Sequence, residues 1–123
     1  MGTMSGIRRL IPVAALAAAL ASSCASLSPE IGSPDLQAAR DGAWRGFYDG
    51  GMVKVEVEVT VASHRIESVR ILRHDCGLGR KAESIVGEIV AAQSLDVDVV
   101  SGATGSSLCI LKASELALAA AIE

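Results

Sequence analysis

Aromatic residues are almost missing from this chain of 123 residues, which has one Trp, one Phe and one Tyr, at Trp44, Phe47 and Tyr48. Its apolar content is therefore aliphatic, and much of it is alanine near the N-terminus and in the final segment. The length allows one domain with a single small core. Clustered basic residues are missing too: 11 Lys and Arg stand against 14 Asp and Glu, for a formal net charge of −3. Neutralising a phosphate backbone needs grouped Lys and Arg, so this composition argues against nucleic acid as a partner. Metal-ligand spacing is also lacking. His74, Asp75 and Cys76 are adjacent, but neighbouring residues rarely converge on one ion and no second ligand cluster exists, so no metal site is expected.

Residues 1–24 carry the pattern of an export signal. Arg8 and Arg9 give a positive start, Leu10 to Leu20 an apolar core, and Ala21-Ser22-Ser23 a small-residue cleavage region. The apolar run is short for a bilayer span, which needs ~20 predominantly apolar residues. Leu20-Ala21-Ser22-Ser23-Cys24 resembles the lipobox of bacterial lipoproteins, with Ala21 where leucine is most usual. That resemblance implies a lipid on Cys24; an uncleaved N-terminal anchor is the alternative. Either way the folded part is expected outside the cytoplasmic face, anchored in the cell envelope and facing the periplasm or the cell exterior. Removing such a leader makes the formal charge two units more negative, through Arg8 and Arg9.

Residues 25–40 then read as a tether, with Ser, Pro and Gly through Ser33-Pro34 and a short turn starting at Asp35. The domain is expected over 41–123. Asp41 to Gly51 reads as a short aromatic strand leading into a tight turn at Asp49-Gly50. Val53, Val55, Val57, Val59 and Val61 alternate with Lys54, Glu56, Glu58 and Thr60, the signature of a half-buried strand with five valines on one face. Ser63-His64-Arg65 makes the next turn, with no role for His64 beyond a solvated loop, and Ile66 to Leu72 a second, antiparallel strand. Arg73 to Arg80 reads as a glycine-broken loop. Ala82, Ile85, Val86, Ile89 and Val90 recur at helical spacing within an expected helix from Arg80 to Gln93. Leu95 to Val100 is expected as a short extended run. A final helix is expected from Gly105 to Ile122, with Leu108, Leu111, Leu116 and Ile122 available for the core. The order implies an α+β domain, a small antiparallel sheet with helices packed on one face.

The stretch from Asp98 to Ser107 joins the extended run to the last helix. A helix start leaves N–H groups unpaired and favours an anion. Gly102 and Gly105 let the main chain approach a bulky ligand, while Ser101, Thr104, Ser106 and Ser107 add hydroxyls. This describes a phosphate-sized site, and equally a helix cap that binds nothing.

Asp98, Ser101, Gly102, Ala103 and Thr104 together match the flavinylation motif Asp-x-x-Ser/Thr-Gly-Ala-Thr/Ser. The region from Gly42 to Ile122, including the His-x-x-Gly-x-Gly loop at His74 to Gly79, resembles the FMN-binding domain. That family includes the C subunit of sodium-pumping NADH:quinone oxidoreductase, the G subunit of the Rnf complex, and small exported lipoproteins. The resemblance implies FMN attached covalently to Thr104 through a phosphodiester, installed after export by a flavin transferase that uses FAD and Mg²⁺. It assigns Asp98 to the recognition pattern, with loop capping as the alternative, and Ser101 and Ser106 to phosphate or backbone contacts, with simple capping as the alternative. It also places His74 against the flavin.

A bound flavin would make the chain an electron carrier rather than a stand-alone enzyme, because the ring does the redox chemistry. The implied partners are the transferase, redox proteins or a quinone-linked membrane complex, and the membrane itself through the lipid. Two other functions fit the same sequence: a non-redox binding or structural lipoprotein that keeps the fold without flavin, and a sensory domain with non-covalent FMN. With Cys24 assigned to lipid, Cys76 and Cys109 are left in an export compartment where thiols can pair; a disulfide between them and a buried thiol at each place are both open.

Overall fold

The computed structural model describes residues 29–75 and 79–123; the leader, Cys24, the start of the tether and Cys76 lie outside the described residues. Three strands, β1 (Gly42–Asp49), β2 (Lys54–Ala62) and β3 (Arg65–Asp75), form an antiparallel sheet in the order β1-β2-β3. A 3-10 helix (Gly79–Ser84) and two α-helices, α1 (Ile85–Ala92) and α2 (Thr104–Ile122), follow in sequence. The helices cover one face of the sheet, so the protein has the expected α+β architecture.

The valine alternation produces that face. Val55, Val57, Val59 and Val61 are buried under the helices, while Lys54, Glu56, Glu58 and Thr60 point the other way. Each buried valine contributes about 1.5 kcal/mol or more by leaving water. On the outer face Glu58 lies between Arg70 at 3.0 Å and Arg45 at 3.6 Å, tying its strand to both neighbours. Such exposed pairs contribute at most about 1 kcal/mol each, so the apolar face dominates. The hairpin between β2 and β3 turns through Ser63 and His64, both with positive φ, as a two-residue connection with right-handed strand twist favours.

β3 continues three residues beyond the expected strand, through Arg73, His74 and Asp75. Two register shifts, between Glu56 and Val57 and between Thr60 and Val61, change the alternation. They carry His74 opposite Val55, onto the core side of the sheet. The expected helix from Arg80 to Gln93 begins instead as the 3-10 helix and becomes α-helical at Ile85. Leu95 to Val100 stays outside the sheet. Val97 N–H donates to Leu95 O at 3.0 Å and Asp96 N–H to Ser94 Oγ at 2.9 Å, so local turns use the backbone groups that a ladder would need.

Helix α2 lies across β1 and β2. Its buried residues are mostly small: Ser106, Ser107, Cys109, Ala113, Ser114, Ala117 and Ala121 accompany Ile110, Leu111 and Leu118. Of the expected core residues, Leu111 is buried, but Leu116 is 39% exposed and Leu108 and Ile122 are half-buried. The reason is close approach. A Cβ on Gly46 would meet the Ala113 carbonyl oxygen and stand 2.6 Å from the Ala117 nitrogen, so strand and helix backbones touch and only small residues fit between them. The helix is long and apolar enough to cross a membrane by composition, yet 56% of that apolar window is buried inside the domain.

Contacts at both ends orient α2 antiparallel to β1. Arg40 donates from Nε to Ala121 O and from a guanidinium nitrogen to Ala120 O, each at 3.0 Å, and stacks 4.6 Å from the centre of the Trp44 ring. A cation on the last carbonyls complements the helix dipole. At the other end Cys109 Sγ lies 2.7 Å from where a Cβ on Gly50 would stand. The mouth of α2 therefore sits at the same end of the sheet as the β1–β2 turn and the last residues of β3.

Gly46→Ala is expected to force the helix off the sheet and to lower stability by about 2 kcal/mol or more. Thermal or urea unfolding checks this, and an unchanged midpoint would contradict the contact.

Candidate functional site

Asp98, Ser101, Gly102, Ala103 and Thr104 form one short turn into α2. Ala103 occupies the N-cap position without a side-chain cap, and its N–H donates to Val100 O at 2.9 Å. The clamp comes from inside the helix. Ser107 Oγ accepts from Val100 N–H at 3.0 Å and donates to Ala103 O at 2.8 Å, so one buried hydroxyl fixes both sides of the turn. The hydroxyls expected as caps are thereby left over. Thr104 and Ser101 are exposed and have no side-chain hydrogen bond among the described residues, and Ser106 is buried. Asp98 is also exposed, without a hydrogen bond or ion pair among those residues.

Gly102 has a φ of 80°, the left-handed region that favours glycine. Its open side faces Lys81: a Cβ there would stand 2.6 Å from Lys81 Nζ and 3.2 Å from its Cε. Among the described residues nothing lies within 4 Å of a Cβ added at Gly105, so that side of the turn is open to them. The first amides of α2, at Thr104, Gly105 and Ser106, precede the first backbone bond of the helix, from Ser107 N–H to Ala103 O. Free amides and the positive end of the helix dipole thus stand at Thr104, with an ammonium against Gly102 two residues before it, an arrangement suited to an anion.

The 3-10 helix links this turn to His74. The His74 side chain is only 2% exposed, and its Nδ1 lies 3.0 Å from Glu83 Oε2. A carboxylate can only accept, so Nδ1 carries the hydrogen. Nε2 is buried and has no hydrogen-bond partner among the described residues. An unpaired buried polar atom is costly and points to a missing partner. Glu83 also lies 3.8 Å from Arg80. Lys81 and Glu83 stand two residues apart on one turn, the first against Gly102 and the second against His74.

Lys81 and Glu83 were not singled out by sequence reasoning, and Ser107, expected as one of the hydroxyls at the mouth, is instead its buried clamp. The pair Arg80-Lys81 was a visible signal, but only the fold shows that Arg80 turns to Glu83 while Lys81 turns to Gly102. Among the described residues no group of His, Cys, Asp and Glu is arranged to hold a metal. Cys109 is buried and forms no disulfide among the described residues; its suggested partner, Cys76, lies outside them. Burial pushes the Cys109 thiol above its ordinary range, and the negative charge of Asp49 adds to the effect.

Ser107→Ala removes both ends of the clamp and is expected to cost about 1–2 kcal/mol. Faster amide exchange at Val100 should accompany the lowered melting temperature; unchanged exchange would contradict the clamp. For Cys109, iodoacetamide should react slowly in the native chain and readily after unfolding. Because the fold disfavours the thiolate, its contribution to stability is constant below the ordinary thiol range and declines as pH rises through it. Cys109→Ala should reduce that alkaline decline, and fast native alkylation would contradict the burial.

Comparison with known proteins bears on the same region. A protein of Treponema pallidum (strain Nichols), itself described only as uncharacterized, is 38% identical over 79 residues, which make up 62% of this chain and 22% of that protein. The match thus spans about a fifth of the relative's length. The family model of the FMN-binding domain matches residues 50–119, more than half the chain, running from the β1–β2 turn through the Asp98 to Thr104 turn and most of α2. Open space beside Gly105, free amides at the helix mouth, the Lys81 ammonium and the unpaired His74 Nε2 all suit a phosphate-bearing ligand with polar ring atoms. The chain belongs to the FMN-binding domain family.

Proposed function

We propose that this protein is a membrane-tethered, extracytoplasmic electron carrier that holds FMN covalently through a phosphodiester on Thr104. The observation that carries this reading is the state of Thr104. Its hydroxyl is exposed, unused by the helix cap, and placed at the open mouth of α2 directly behind Ser101-Gly102-Ala103. A free nucleophilic oxygen between small residues is what a modifying enzyme has to reach.

Attachment joins Thr104 Oγ1 to the flavin-side phosphorus of FAD, breaks the phosphoanhydride bond, and releases AMP and a proton. Bound FMN supplies the redox chemistry. The chain's residues supply the rest. The amides of Thr104, Gly105 and Ser106 and the hydroxyls of Ser101 and Ser106 would hold the phosphate, and the small Gly102 and Ala103 would leave room beside it. Ser107 holds the turn in place from below. His74, fixed through Nδ1 by Glu83, offers Nε2 as an acceptor to a polar edge of the ring. Asp98, which caps nothing among the described residues, is available to the transferase as a recognition element. No catalytic acid or base is needed for a carrier.

The tether and the lipid on Cys24 complete the proposal. A lipid holds the domain near redox proteins or a quinone-linked membrane complex, and a covalent cofactor is not lost in the envelope, where free FMN is scarce.

Co-expression with a flavin transferase should give a band that stays fluorescent in a denaturing gel. Thr104→Ala should abolish the band and Thr104→Ser should largely keep it. Asp98→Ala should weaken labelling with no change in melting temperature. Fluorescence retained in Thr104→Ala would overturn the attachment site, and flavin lost on denaturation would favour non-covalent binding.

A further inference from the structure

We propose that Lys81 is the positioning cation of the flavin attachment site, holding its ammonium against the negative charge that a phosphodiester places beside Gly102 and Thr104. This inference rests on the reading of Thr104 as the acceptor. Three observations carry it.

First, Lys81 Nζ lies against Gly102, two residues before the acceptor, so close that a Cβ on Gly102 would stand 2.6 Å from it. Second, the ammonium makes no ion pair or hydrogen bond among the described residues, although acids are near in sequence. Glu83 is already engaged by His74 at 3.0 Å and by Arg80 at 3.8 Å. Third, the partial positive charge of the α2 mouth lies on the same side as the ammonium, and like charges gathered without an anion repel one another. A phosphodiester on Thr104 Oγ1 keeps one negative charge and resolves that repulsion. It would lie between the free amides and Lys81, with charge-assisted contact from the lysine and ordinary donors from the backbone.

The same geometry makes Gly102 a requirement of the pair. Any side chain there would displace the ammonium as well as strain a φ of 80°. During transfer, the flavin-side phosphorus forms its bond to Thr104 Oγ1 and loses its bond to AMP. Lys81 stabilises the oxygens that remain on that phosphorus and takes no proton from the hydroxyl. Its effect belongs on the turnover step more than on the docking of the domain to its transferase.

The test uses the full chain with a flavin transferase, FAD and Mg²⁺, comparing native protein with Lys81→Met and Lys81→Arg. Lys81 is exposed, so all three should melt alike. Lys81→Met should lower kcat for flavin transfer about tenfold, less than the loss of a buried oxyanion donor, with little change in KM for the acceptor. Lys81→Arg should restore most of the rate. A second readout needs no turnover. At one fixed pH the phosphorus resonance of the diester should differ between loaded native protein and loaded Lys81→Met, while loaded Lys81→Arg should lie close to native. Equal kcat in native and Lys81→Met together with identical phosphorus resonances would overturn the proposal, as would a change confined to KM. If the native chain takes up no flavin at all, the acceptor reading itself falls, and the role of Lys81 with it.

Discussion

The contact of α2 with β1 at Gly46 sets the geometry of everything else. Helix and strand backbones meet there with no side chain between them, and Ala113 and Ala117 are the residues that permit it. The valine face of β2 supplies the driving force for burial, but it is indifferent to where along the sheet a helix stops. The Gly46 contact, the Arg40 clamp at the C-terminal carbonyls and the seating of Cys109 over Gly50 fix that position. They bring the first turn of α2 level with the end of β3 and the 3-10 helix that follows it. The site is a consequence of this alignment: Lys81, Gly102, Thr104 and His74 come from segments far apart in sequence and share one end of the domain.

Hydroxyl groups divide the work along α2. Those inside the helix are structural: Ser107 holds the turn from Val100 to Ala103, and Ser114 returns its hydrogen bond to Ile110 O at 2.8 Å. Both are fully buried, so their oxygens need partners and find them within the helix. Thr104 and Ser101 sit outside the clamp and are left free. This division explains how a loop can be firmly held while its acceptor stays accessible. A turn capped by Thr104 itself would be just as stable and could not be modified without coming loose.

Much of this was legible in the sequence. The valine alternation gave the central strand and its buried face, because a period of two has one structural meaning over nine residues. The final helix and the motif at its mouth followed from equally local signals, whereas the turn expected at Asp49-Gly50 falls two residues later, since Asp49 still pairs with Lys54 and Gly50 N–H donates to Val53 O. What was hidden depended on contacts between segments. His74 read as part of a loop because two register shifts, invisible in composition, move it to the core side. Leu95 to Val100 has the residues of a strand but folds its backbone into local turns. Of the leucines expected in the core of α2, Leu111 is buried, but Leu108 and Leu116 give way to Ile110, Ala113, Ala117 and Leu118, and close approach to Gly46 selects small residues at Ala113 and Ala117. Nothing in the local sequence gives Lys81 or Glu83 a role; only the 3-10 helix sets them against Gly102 and His74.

The measurement that bears most directly on covalent attachment is tandem mass spectrometry of the peptide spanning Ser101 to Lys112, from chain co-expressed with a flavin transferase. The account predicts a mass gain equal to FMN less one water, with fragment ions placing it on Thr104 and leaving Ser101, Ser106 and Ser107 bare. A peptide that remains unmodified, or a flavin localised on one of those serines, would contradict it.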